Sequence, residues 1–573
     1  MTHKATLRIA PAILAALAAA GLSLAAAAGE PANDVRRPKK LIAVGWDLFA
    51  DTAWLREHHA RMQERPFNGI VVNVVGRRDD GKEVPLRLAF QKEPWKYEWF
   101  GPALADLKAC TWTAFTDNFL LVGANPGDVD WFDDDGWRAI VEHWRLAARV
   151  AKAAGLRGLC FDPEPYTAPH AAFSYAAQPG RDAHTFAEYA AKVRERGREA
   201  MKAVAAEFPD AVVLSFFLNS ICGRAIGQAD PSPLLAADGY GLLPAFLDGW
   251  LDAAPPSITM VDGHENAYRY NSDLEFLEAA NLIRGPCQEL VSPGNRAKYR
   301  AQVQVGYGIY LDAHVNPPTS PWYIDPKGGP RVERLRANVA AAVRCADEYV
   351  WVYGEKCRWW PTPNKGVTQQ TWPEALPGCE DALRHARDPL AWARWKVGQL
   401  AKAGGLKNLL TSADFAKGKA AAANAPAGPP DGWATWQSDT SKGVFAWDPQ
   451  VGAAAKGAAR LAGMADGCFI QSVEVRPGRR YAVEAVGRVQ GRGDAVLIVR
   501  WQTADGTWTA EGRDVHVPLE PAAAGNAWAG LFGVAEVPEG AGKLAILLLA
   551  RGQASDHDVA WFDDVRLYAL DGP

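Results

Sequence analysis

Several common functional motifs are missing from this sequence of 573 residues. None of its eight cysteines forms a Cys-x-x-Cys pair, which excludes zinc-ribbon and thioredoxin-type sites. There is no Gly-x-x-x-x-Gly-Lys-Ser/Thr phosphate loop and no Gly-x-Ser-x-Gly nucleophile turn. The formal net charge is −4, which argues against nucleic acid as a partner. These absences leave chemistry based on carboxylates, imidazoles and aromatic rings.

A long apolar stretch occurs only at the N-terminus. Lys4 and Arg8 precede an apolar run from Ile9 to about Leu24, and residues 25–28 are all alanine. This arrangement is typical of a secretory signal peptide. No cysteine stands at the junction, so we expect no lipoprotein anchor, and no later run is long enough to span a bilayer. We expect residues 1–28 to be removed and the mature protein to be secreted or periplasmic, without membrane insertion.

The first two thirds of the chain alternate short apolar runs with helical patterns. The runs occupy residues 41–46, 70–75, 119–122, 156–161, 211–218, 258–261, 303–311 and 349–353. Eight such units predict a (β/α)8 TIM barrel over residues 35–405. The alternative is a doubly wound open sheet, which usually carries a glycine-rich turn after its first strand. Here that position reads Gly-Trp-Asp-Leu-Phe, which favours the barrel.

The pattern changes after a segment rich in Ala, Gly and Pro at about residues 416–430. Beyond it the helical patterns disappear and strand-type alternations follow at residues 468–475, 480–486, 495–503, 544–550 and 559–567. We therefore predict a second domain that is an all-β sandwich. Because the chain would be exported, its eight cysteines could form disulfides, but their spacing defines no framework. Cys160 lies within an apolar run and is predicted to be a buried thiol.

Short motifs lie along the second domain. They are Asp431-Gly432-Trp433, Cys468-Phe469-Ile470-Gln471, Arg476-Pro477-Gly478 and Trp561-Phe562-Asp563-Asp564-Val565. On these motifs, residues 408–570 resemble jelly-roll carbohydrate-binding modules of the xylan- and glucan-binding type, which implies that the sandwich is a jelly roll. The resemblance also implies that Gln471 and residues 563–565 maintain the sandwich and sometimes hold a structural calcium ion. We expect no other cofactor. The resemblance does not by itself imply that this module binds sugar.

Polar side chains follow the predicted barrel strands. They are Asp47, Asn73, Asn125, Asp162, Glu164, Asn219, Asp262, His264, Glu265, Asp312, His314 and Glu355. In a (β/α)8 barrel all strand C-termini meet on one face, where active sites lie. Glycoside hydrolysis requires two carboxylates flanking the bond, one protonated and one ionised. This face therefore predicts a glycosidase site. The candidate ligands of sugar hydroxyls are Asp47, Asn73, Asn219, Asp262, His264, Glu265, Asp312 and His314.

Asp162 and Glu164 form the clearest pair, in the sequence Asp-Pro-Glu-Pro at the end of the fourth strand. The Glu-Pro step resembles the acid position of the large (β/α)8 glycosidase clan, although Pro163 replaces the usual Asn. Asp-x-Glu at this strand also resembles chitinase-like hydrolases. Both resemblances imply that Glu164 is the general acid. Asp162 lies two residues earlier, on the same face of the strand, and would hold a sugar hydroxyl or support the acid. The structural alternative is that these carboxylates cap the next segment or pair with Arg.

Glu355 is the predicted opposing carboxylate, because it follows the eighth strand and precedes two tryptophans. A local ion pair with Lys356 or Arg358 is the alternative. Aromatic rings suit sugar binding, and the chain contains 23 Trp. The predicted aromatic sugar contacts are Tyr307, Trp351, Tyr353, Trp359 and Trp360.

Two Asp-x-His pairs, Asp262 with His264 and Asp312 with His314, could bind a divalent metal, grip sugar hydroxyls or tune the acid. The first strand lacks the His-x-His of metal-dependent amidohydrolase barrels, so we predict no catalytic metal. The sequence thus predicts an exported glycoside hydrolase acting on a poly- or oligosaccharide. The alternatives are a glycan-binding protein with an inactive barrel and a metal-dependent hydrolase of a glycan substituent.

Overall fold

The computed structural model describes residues 37–45, 51–360, 368–418, 428–520 and 527–571. The predicted signal peptide and Asp47 lie outside these ranges. In the described ranges no helix has the length and apolar character that a bilayer crossing requires. The chain forms a (β/α)8 barrel followed by a β-sandwich, which confirms the predicted fold class.

The barrel contains eleven described strands. They are β1 (Lys40–Ala43), β2 (Gly69–Val72), β3 (Val75–Arg77), β4 (Glu83–Pro85), β5 (Phe119–Gly123), β6 (Gly158–Asp162), β7 (Val212–Ser215), β8 (Thr259–Asp262), β9 (Val303–Val305), β10 (Tyr307–Tyr310) and β11 (Tyr349–Tyr353). Nine of them form one parallel sheet in the order β10-β11-β1-β2-β5-β6-β7-β8-β9. Because only Gly306 separates β9 from β10, the two edges of this sheet are one interrupted strand, and the sheet is nearly closed with eight strand positions. All eight predicted runs contain a strand.

Helices surround this sheet. They are α1 (Thr52–Met62), α2 (Gly101–Ala109), α3 (Asp134–Ala153), α4 (Phe186–Glu207), α5 (Ser232–Ala237), α6 (Leu243–Ala253), α7 (Asp273–Arg284), α8 (Arg296–Gln302), α9 (Arg331–Cys345), α10 (Trp372–Ala375), α11 (Cys379–Arg387) and α12 (Pro389–Lys402). Helix α4 begins with a capping box between Thr185 and Glu188 and buries Tyr189, Val193 and Met201 against the barrel. Phe186, Tyr189, Val193, Met201 and Val204 form an apolar stripe with helical spacing, the pattern that predicts this helix from the sequence.

The described residues of the sandwich form ten strands in two antiparallel sheets. The strands are β12 (Ala434–Gln437), β13 (Val444–Asp448), β14 (Ala458–Ala462), β15 (Asp466–Glu474), β16 (Arg480–Gln490), β17 (Asp494–Gln502), β18 (Val515–Pro518), β19 (Ala529–Glu536), β20 (Lys543–Arg551) and β21 (Val559–Ala569). Their orders are β12-β15-β20-β17-β18 and β13-β14-β21-β16-β19. The two inner faces share a core that includes Phe469, Leu497, Leu548 and Phe562. The short or polar strands β12, β13, β14, β18 and β19 were not predicted.

The barrel and the sandwich pack against each other through α12. Its Trp392 and Ala393 are buried together with Ala482 and Leu570 of the sandwich. An ion pair of 3.0 Å between Arg480 and Glu333 joins the sandwich to α9. The outer face of one sandwich sheet is therefore covered by the last helix of the barrel.

Gln471 and Asp563 have the structural role that the resemblance implied, and the cysteines, all within the described ranges, form no disulfides. All eight cysteines are free thiols, and Cys160 is buried as predicted. The Gln471 amide bonds to the backbone at Thr411 and Gly432, which ties the start of the sandwich to β15. Asp563 is buried, and its carboxylate accepts the backbone N–H groups of Ala453 and Asp564. Both residues thus stabilise the sandwich by internal hydrogen bonds.

Candidate active site

The C-terminal ends of the barrel strands open onto a cavity of about 890 Å³. Four carboxylate side chains line it, and they belong to Glu83, Glu164, Glu265 and Glu355. Phe216, Tyr268, Tyr310, Trp322, Trp351 and Tyr353 form an aromatic wall. This is the face of the barrel on which the sequence predicted an active site.

Asp162 and Glu164 form one side of the cavity, at the end of β6. Asp162 is buried, and its Oδ1 accepts the backbone N–H of Glu164 at 3.0 Å. The Asn125 amide fixes the same turn, because its Nδ2 donates to the Glu164 carbonyl at 2.7 Å and its Oδ1 accepts the Tyr166 N–H at 2.8 Å. The structural interpretation of Asp162 as a local cap therefore holds, while Glu164 extends into the cavity.

Burial raises the pKa of both carboxyl groups. The pKa of Asp162 is raised well above its usual range by burial and then by the charge of Glu164. Burial also raises the pKa of Glu164, but the Tyr166 hydroxyl donates a hydrogen bond to Oε2 and opposes this shift. At the turn after β6, Asp162 is therefore hard to ionise. The Tyr166 phenol stabilises the anion of the neighbouring Glu164.

Glu265 approaches the cavity from the loop after β8. Burial, followed by the negative charges of Glu164 and Asp162, raises the pKa of Glu265 to about 8. The sequence assigned Glu265 to substrate binding, but these interactions place its carboxyl group in the same electrostatic cluster as Glu164. The charge of Glu164 thus acts directly on Glu265.

Glu355 has a different environment at the rim. It is exposed, and its carboxylate accepts the Tyr353 hydroxyl at 3.0 Å and the Tyr310 hydroxyl at 3.4 Å. Its backbone N–H donates to the buried carboxylate of Asp312 at 3.2 Å. Glu355 is therefore fixed by two phenols beside the aromatic wall, and Asp312 supports its backbone from below rather than lining the cavity.

The aromatic wall is a packed set of rings. Tyr268 stacks on Tyr310 with ring centroids 5.0 Å apart, and Tyr310 stacks on Tyr353 at 6.0 Å. Trp351 stacks on Phe216 at 4.5 Å, and its Nε1 donates to the Gly263 carbonyl at 2.8 Å. These contacts hold the rings in place before any ligand binds, so their order adds little entropic cost to binding.

The opposite wall comes from the hairpin of β3 and β4. It contributes Glu83 and Arg87, and Asn73 lies at the tip of β2. Around the cavity, Arg87 carries the only positive charge that the described residues provide. This wall therefore offers a guanidinium and an amide as hydrogen-bonding groups for a polar ligand.

Several residues that the sequence placed in the site lie beneath it. Asn219 is fully buried and donates to the Cys287 carbonyl, and the Tyr307 hydroxyl donates to the Phe276 carbonyl at 2.6 Å. Asp262 and His264 are buried and bond to Ser220. These polar groups make hydrogen bonds inside the barrel and do not line the cavity.

His314, Trp359 and Trp360 also lie away from the cavity. His314 is buried, and burial together with Arg334 and Arg331 lowers its pKa to about 3. The rings of Trp359 and Trp360 lie 5.0 and 6.0 Å from that of Phe67 in the barrel core. The two tryptophans are thus packing residues in this structure.

The two Asp-x-His pairs do not come together as metal ligands. Both imidazole nitrogens of His264 have hydrogen-bond partners, and His314 lies among arginines. Across the described ranges, no group of three or more His, Cys, Asp or Glu side chains has an arrangement that could hold a metal ion.

Several cavity residues were missed by the sequence reasoning. Tyr166 directly follows the Asp-Pro-Glu-Pro motif, and Tyr310 ends a predicted strand, so both positions carried a usable signal. Tyr268 lies in a 3-10 helix (Glu265–Arg269), and Arg87 follows an inserted hairpin. No spacing rule locates side chains in such insertions.

Comparisons with known proteins are limited in extent. No protein-family model matches the chain, and no curated protein is significantly similar to it in sequence. The carbohydrate-binding module TmCBM61, solved with beta-1,4-galactotriose, is 15% identical over 28% of this chain and 99% of its own, with a TM-score of 0.21. The CBM22-1 xylan-binding domain of Paenibacillus barcinonensis Xyn10C is 11% identical over 29% of this chain and 97% of its own, with a TM-score of 0.22.

A partial match also exists to the enzymatically active domain of tailspike protein 4 of bacteriophage CBA120. It is 12% identical over 39% of this chain, with a TM-score of 0.22, and the match spans 25% of that domain. Because these TM-scores are all below 0.5, the chemistry of the cavity rests on its own geometry.

Proposed function

We propose that this protein is a glycoside hydrolase that cleaves a glycosidic bond in a poly- or oligosaccharide. The observation that carries the proposal is that Glu164 and Glu265 line one cavity, where the charge of Glu164 and burial raise the pKa of Glu265. Two carboxyl groups whose environments keep one protonated and allow the other to ionise are what acid–base cleavage of a glycoside needs. The aromatic wall would hold the sugar rings beside this pair.

The environments of the two carboxyl groups suggest their roles. Glu265, with a pKa of about 8, holds its proton at neutral pH and would donate it to the leaving oxygen. Glu164 accepts the Tyr166 hydroxyl, which favours its carboxylate form, and it would act as the base or nucleophile. This assignment reverses the acid role that the sequence gave to Glu164, and it replaces Glu355 as the opposing carboxylate. Glu355, held by two phenols, would bind sugar hydroxyls.

Hydrolysis of a glycan panel by Glu164→Gln, Glu265→Gln and Glu355→Gln tests these roles. We expect both Glu164→Gln and Glu265→Gln to lower kcat by about 10²–10⁴-fold on natural glycans. The Glu265→Gln loss should shrink for aryl glycosides with activated leaving groups, which need little protonation. Glu355→Gln should mainly raise KM. Near-normal turnover by both of the first two variants would exclude the pair, and a wild-type protein that binds glycans without cleaving them would favour the inactive-barrel alternative.

A chelator experiment separates the proposal from a metal-dependent hydrolase. We expect activity to persist after treatment with EDTA, because the carboxyl groups supply the acid–base chemistry. Any effect of calcium should be confined to the melting temperature of the sandwich. Loss of activity on chelation, with recovery on adding zinc or manganese, would instead support metal-dependent removal of a glycan substituent.

We also propose that the protein is exported and meets a polysaccharide outside the cytoplasm. The support is the N-terminal pattern of Lys4, Arg8, a long apolar run and four alanines. N-terminal sequencing of the protein from periplasm or medium should show a start near residue 29. An intact N-terminus on a protein retained in the cytoplasm would contradict export.

A further inference from the structure

Four polar side chains near the start of the loop that carries Glu265 are connected by one continuous chain of hydrogen bonds. Ser220 Oγ lies 2.7 Å from Asp262 Oδ1, His264 Nδ1 lies 2.9 Å from Ser220 Oγ, and His264 Nε2 lies 2.6 Å from the Tyr270 hydroxyl. Asp262, Ser220 and His264 are each at most 3% exposed. The Asp262 carboxylate also accepts the Ser220 N–H at 3.0 Å and the His264 N–H at 3.3 Å. The chain is therefore closed to solvent along most of its length.

If each group makes its hydrogen bonds, only one assignment of donors and acceptors fits the distances. The single hydroxyl hydrogen of Ser220 is donated to Asp262, so Ser220 Oγ must accept from His264 Nδ1–H. Burial lowers the pKa of His264, so the imidazole is neutral and carries one proton, on Nδ1. Its Nε2 therefore accepts from the Tyr270 hydroxyl. The direction of donation runs from Tyr270 through His264 and Ser220 to Asp262.

The hydrogen bonds of this chain hold an unusual backbone turn at His264. His264 has φ = 39° and ψ = 66°, in the left-handed region that non-glycine residues rarely occupy. Such a conformation is strained and persists only when its surroundings hold it. The turn begins the 3-10 helix at Glu265, whose N–H donates to the Phe216 carbonyl at 3.1 Å. A change at His264 would therefore be transmitted to the next residue, which carries the carboxyl group in the cavity.

We propose that Tyr270, His264 and Ser220, anchored on Asp262, are positioning residues that set the location of the Glu265 carboxyl group. This inference rests on the proposed function, in which Glu265 delivers a proton. None of the four side chains lines the cavity within the described ranges, so they would act through Glu265 rather than on the substrate. Rigid support beneath a catalytic group is effective because a displacement of about 1 Å can cost 10²-fold in rate.

The kinetic test uses Tyr270→Phe and Ser220→Ala, which remove one hydrogen bond each from the chain. We expect each to lower kcat by about 10–100-fold on a natural glycan, with little change in KM. On aryl glycosides with activated leaving groups the loss should nearly vanish. In a Glu265→Gln background, neither substitution should cause a further loss. A uniform loss on all substrates, or a further loss in that background, would overturn the inference.

A control variant measures how much stability is lost when a hydrogen-bonded tyrosine hydroxyl is removed elsewhere in the barrel. Tyr189 is fully buried on α4, and its hydroxyl donates to Asp130 at 3.2 Å. Tyr189→Phe should lower the melting temperature by an amount similar to that of Tyr270→Phe while leaving kcat unchanged. Ser220→Thr, which retains a hydroxyl, should recover most of the kcat lost in Ser220→Ala. Equal kcat in Tyr270→Phe and Tyr189→Phe would show that the chain has no positioning role.

Two measurements do not depend on activity. The ¹⁵N NMR spectrum of the imidazole should show His264 with its proton on Nδ1, and a proton on Nε2 would overturn the assigned order. The ¹³C carboxyl signal of Glu265 should shift in Tyr270→Phe but not in Tyr189→Phe. If the protein cleaves no glycan, the proposed function fails, while these spectra still decide whether the chain positions Glu265.

Discussion

At the scale of single residues, the proposed chemistry depends on Glu164 and Glu265, the two cavity acids whose side chains are partly buried. Glu265 combines burial with the charges of Glu164 and Asp162, and both effects favour its protonated form. By contrast, an acidic side chain on the surface with only a structural role would be ionised and paired with a cation. The cost of this arrangement should appear in the stability of the protein as well as in its activity.

Glu265→Gln should stabilise the fold at alkaline pH. The folded protein keeps a proton on Glu265 up to about pH 8, whereas the unfolded chain releases it near pH 4.5, so wild-type stability falls as pH rises between these values. Gln does not titrate, so the variant avoids this loss. Allowing for partial exposure, we expect its free energy of unfolding to exceed that of wild type by on the order of 2 kcal/mol at pH 9. At pH 4 the two should be similar, as measured by urea denaturation.

Glu188→Gln provides a control of opposite sign. Thr185 hydrogen bonds lower the pKa of Glu188 in the capping box of α4, so its contribution to stability is present above the unfolded pKa and is lost as pH falls. This variant should therefore gain no stability at pH 9. A stability difference between wild type and Glu265→Gln that does not grow with pH would contradict a raised pKa at Glu265.

At the scale of elements, the loop after β8 decides which side chains reach the cavity. Its first residue, Gly263, lies where an added Cβ would be 2.3 Å from the Ser215 carbonyl oxygen and 2.8 Å from Trp351 Nε1. The close approach of β7, β8 and the Trp351 indole is thus possible only without a side chain. Gly263 also directly precedes the left-handed turn at His264. The close packing at Gly263 and the direction in which the loop leaves β8 are therefore set at neighbouring residues.

Gly263→Ala should disturb both stability and catalysis. The Cβ would push against the backbone of β7 and displace Trp351, and overpacking of this kind typically costs about 1–3 kcal/mol. We expect a lower melting temperature, a loss of kcat/KM and a changed tryptophan emission spectrum. Gly239→Ala is the control, because a Cβ there meets nothing within 4 Å. Wild-type stability and activity in Gly263→Ala would show that the loop tolerates displacement.

The same loop shows how far sequence reasoning reaches. Apolar runs predicted all eight barrel strands, because a buried parallel strand must be apolar on both faces. Polar residues at the strand ends predicted a site on the face of the barrel where the cavity lies. Which of them line the cavity depends on backbone angles just after the strand, and the pattern Asp262-Gly263-His264-Glu265 gives no sign that only its last member emerges. Trp359 and Trp360 were misplaced for a similar reason, since tryptophan is as common in a core as in a sugar site.

At the scale of the whole molecule, the sandwich is joined to the barrel by an apolar contact rather than by a linker alone. Trp392 of α12 is buried against the sandwich, near the half-buried Phe532 and Val534 of β19. Ion pairs of 3.0 Å between Arg480 and Glu333 and 3.2 Å between Arg336 and Glu536 surround this contact. A boundary drawn at residue 408 therefore separates the sandwich from the helix that covers one of its faces.

A fragment of residues 408–573 should unfold cooperatively, because the sandwich has its own core between two sheets. It should nevertheless be less stable than a fragment of residues 388–573, which retains α12 together with its N-cap Asp388. Re-exposing the face beneath Trp392 should cost about 2–4 kcal/mol, since one large buried apolar side chain contributes about 1.5–3 kcal/mol. Trp392→Ala in the longer fragment should remove most of this difference. Circular dichroism melts measure it, and equal stability of the two fragments would mean that α12 belongs to the barrel alone.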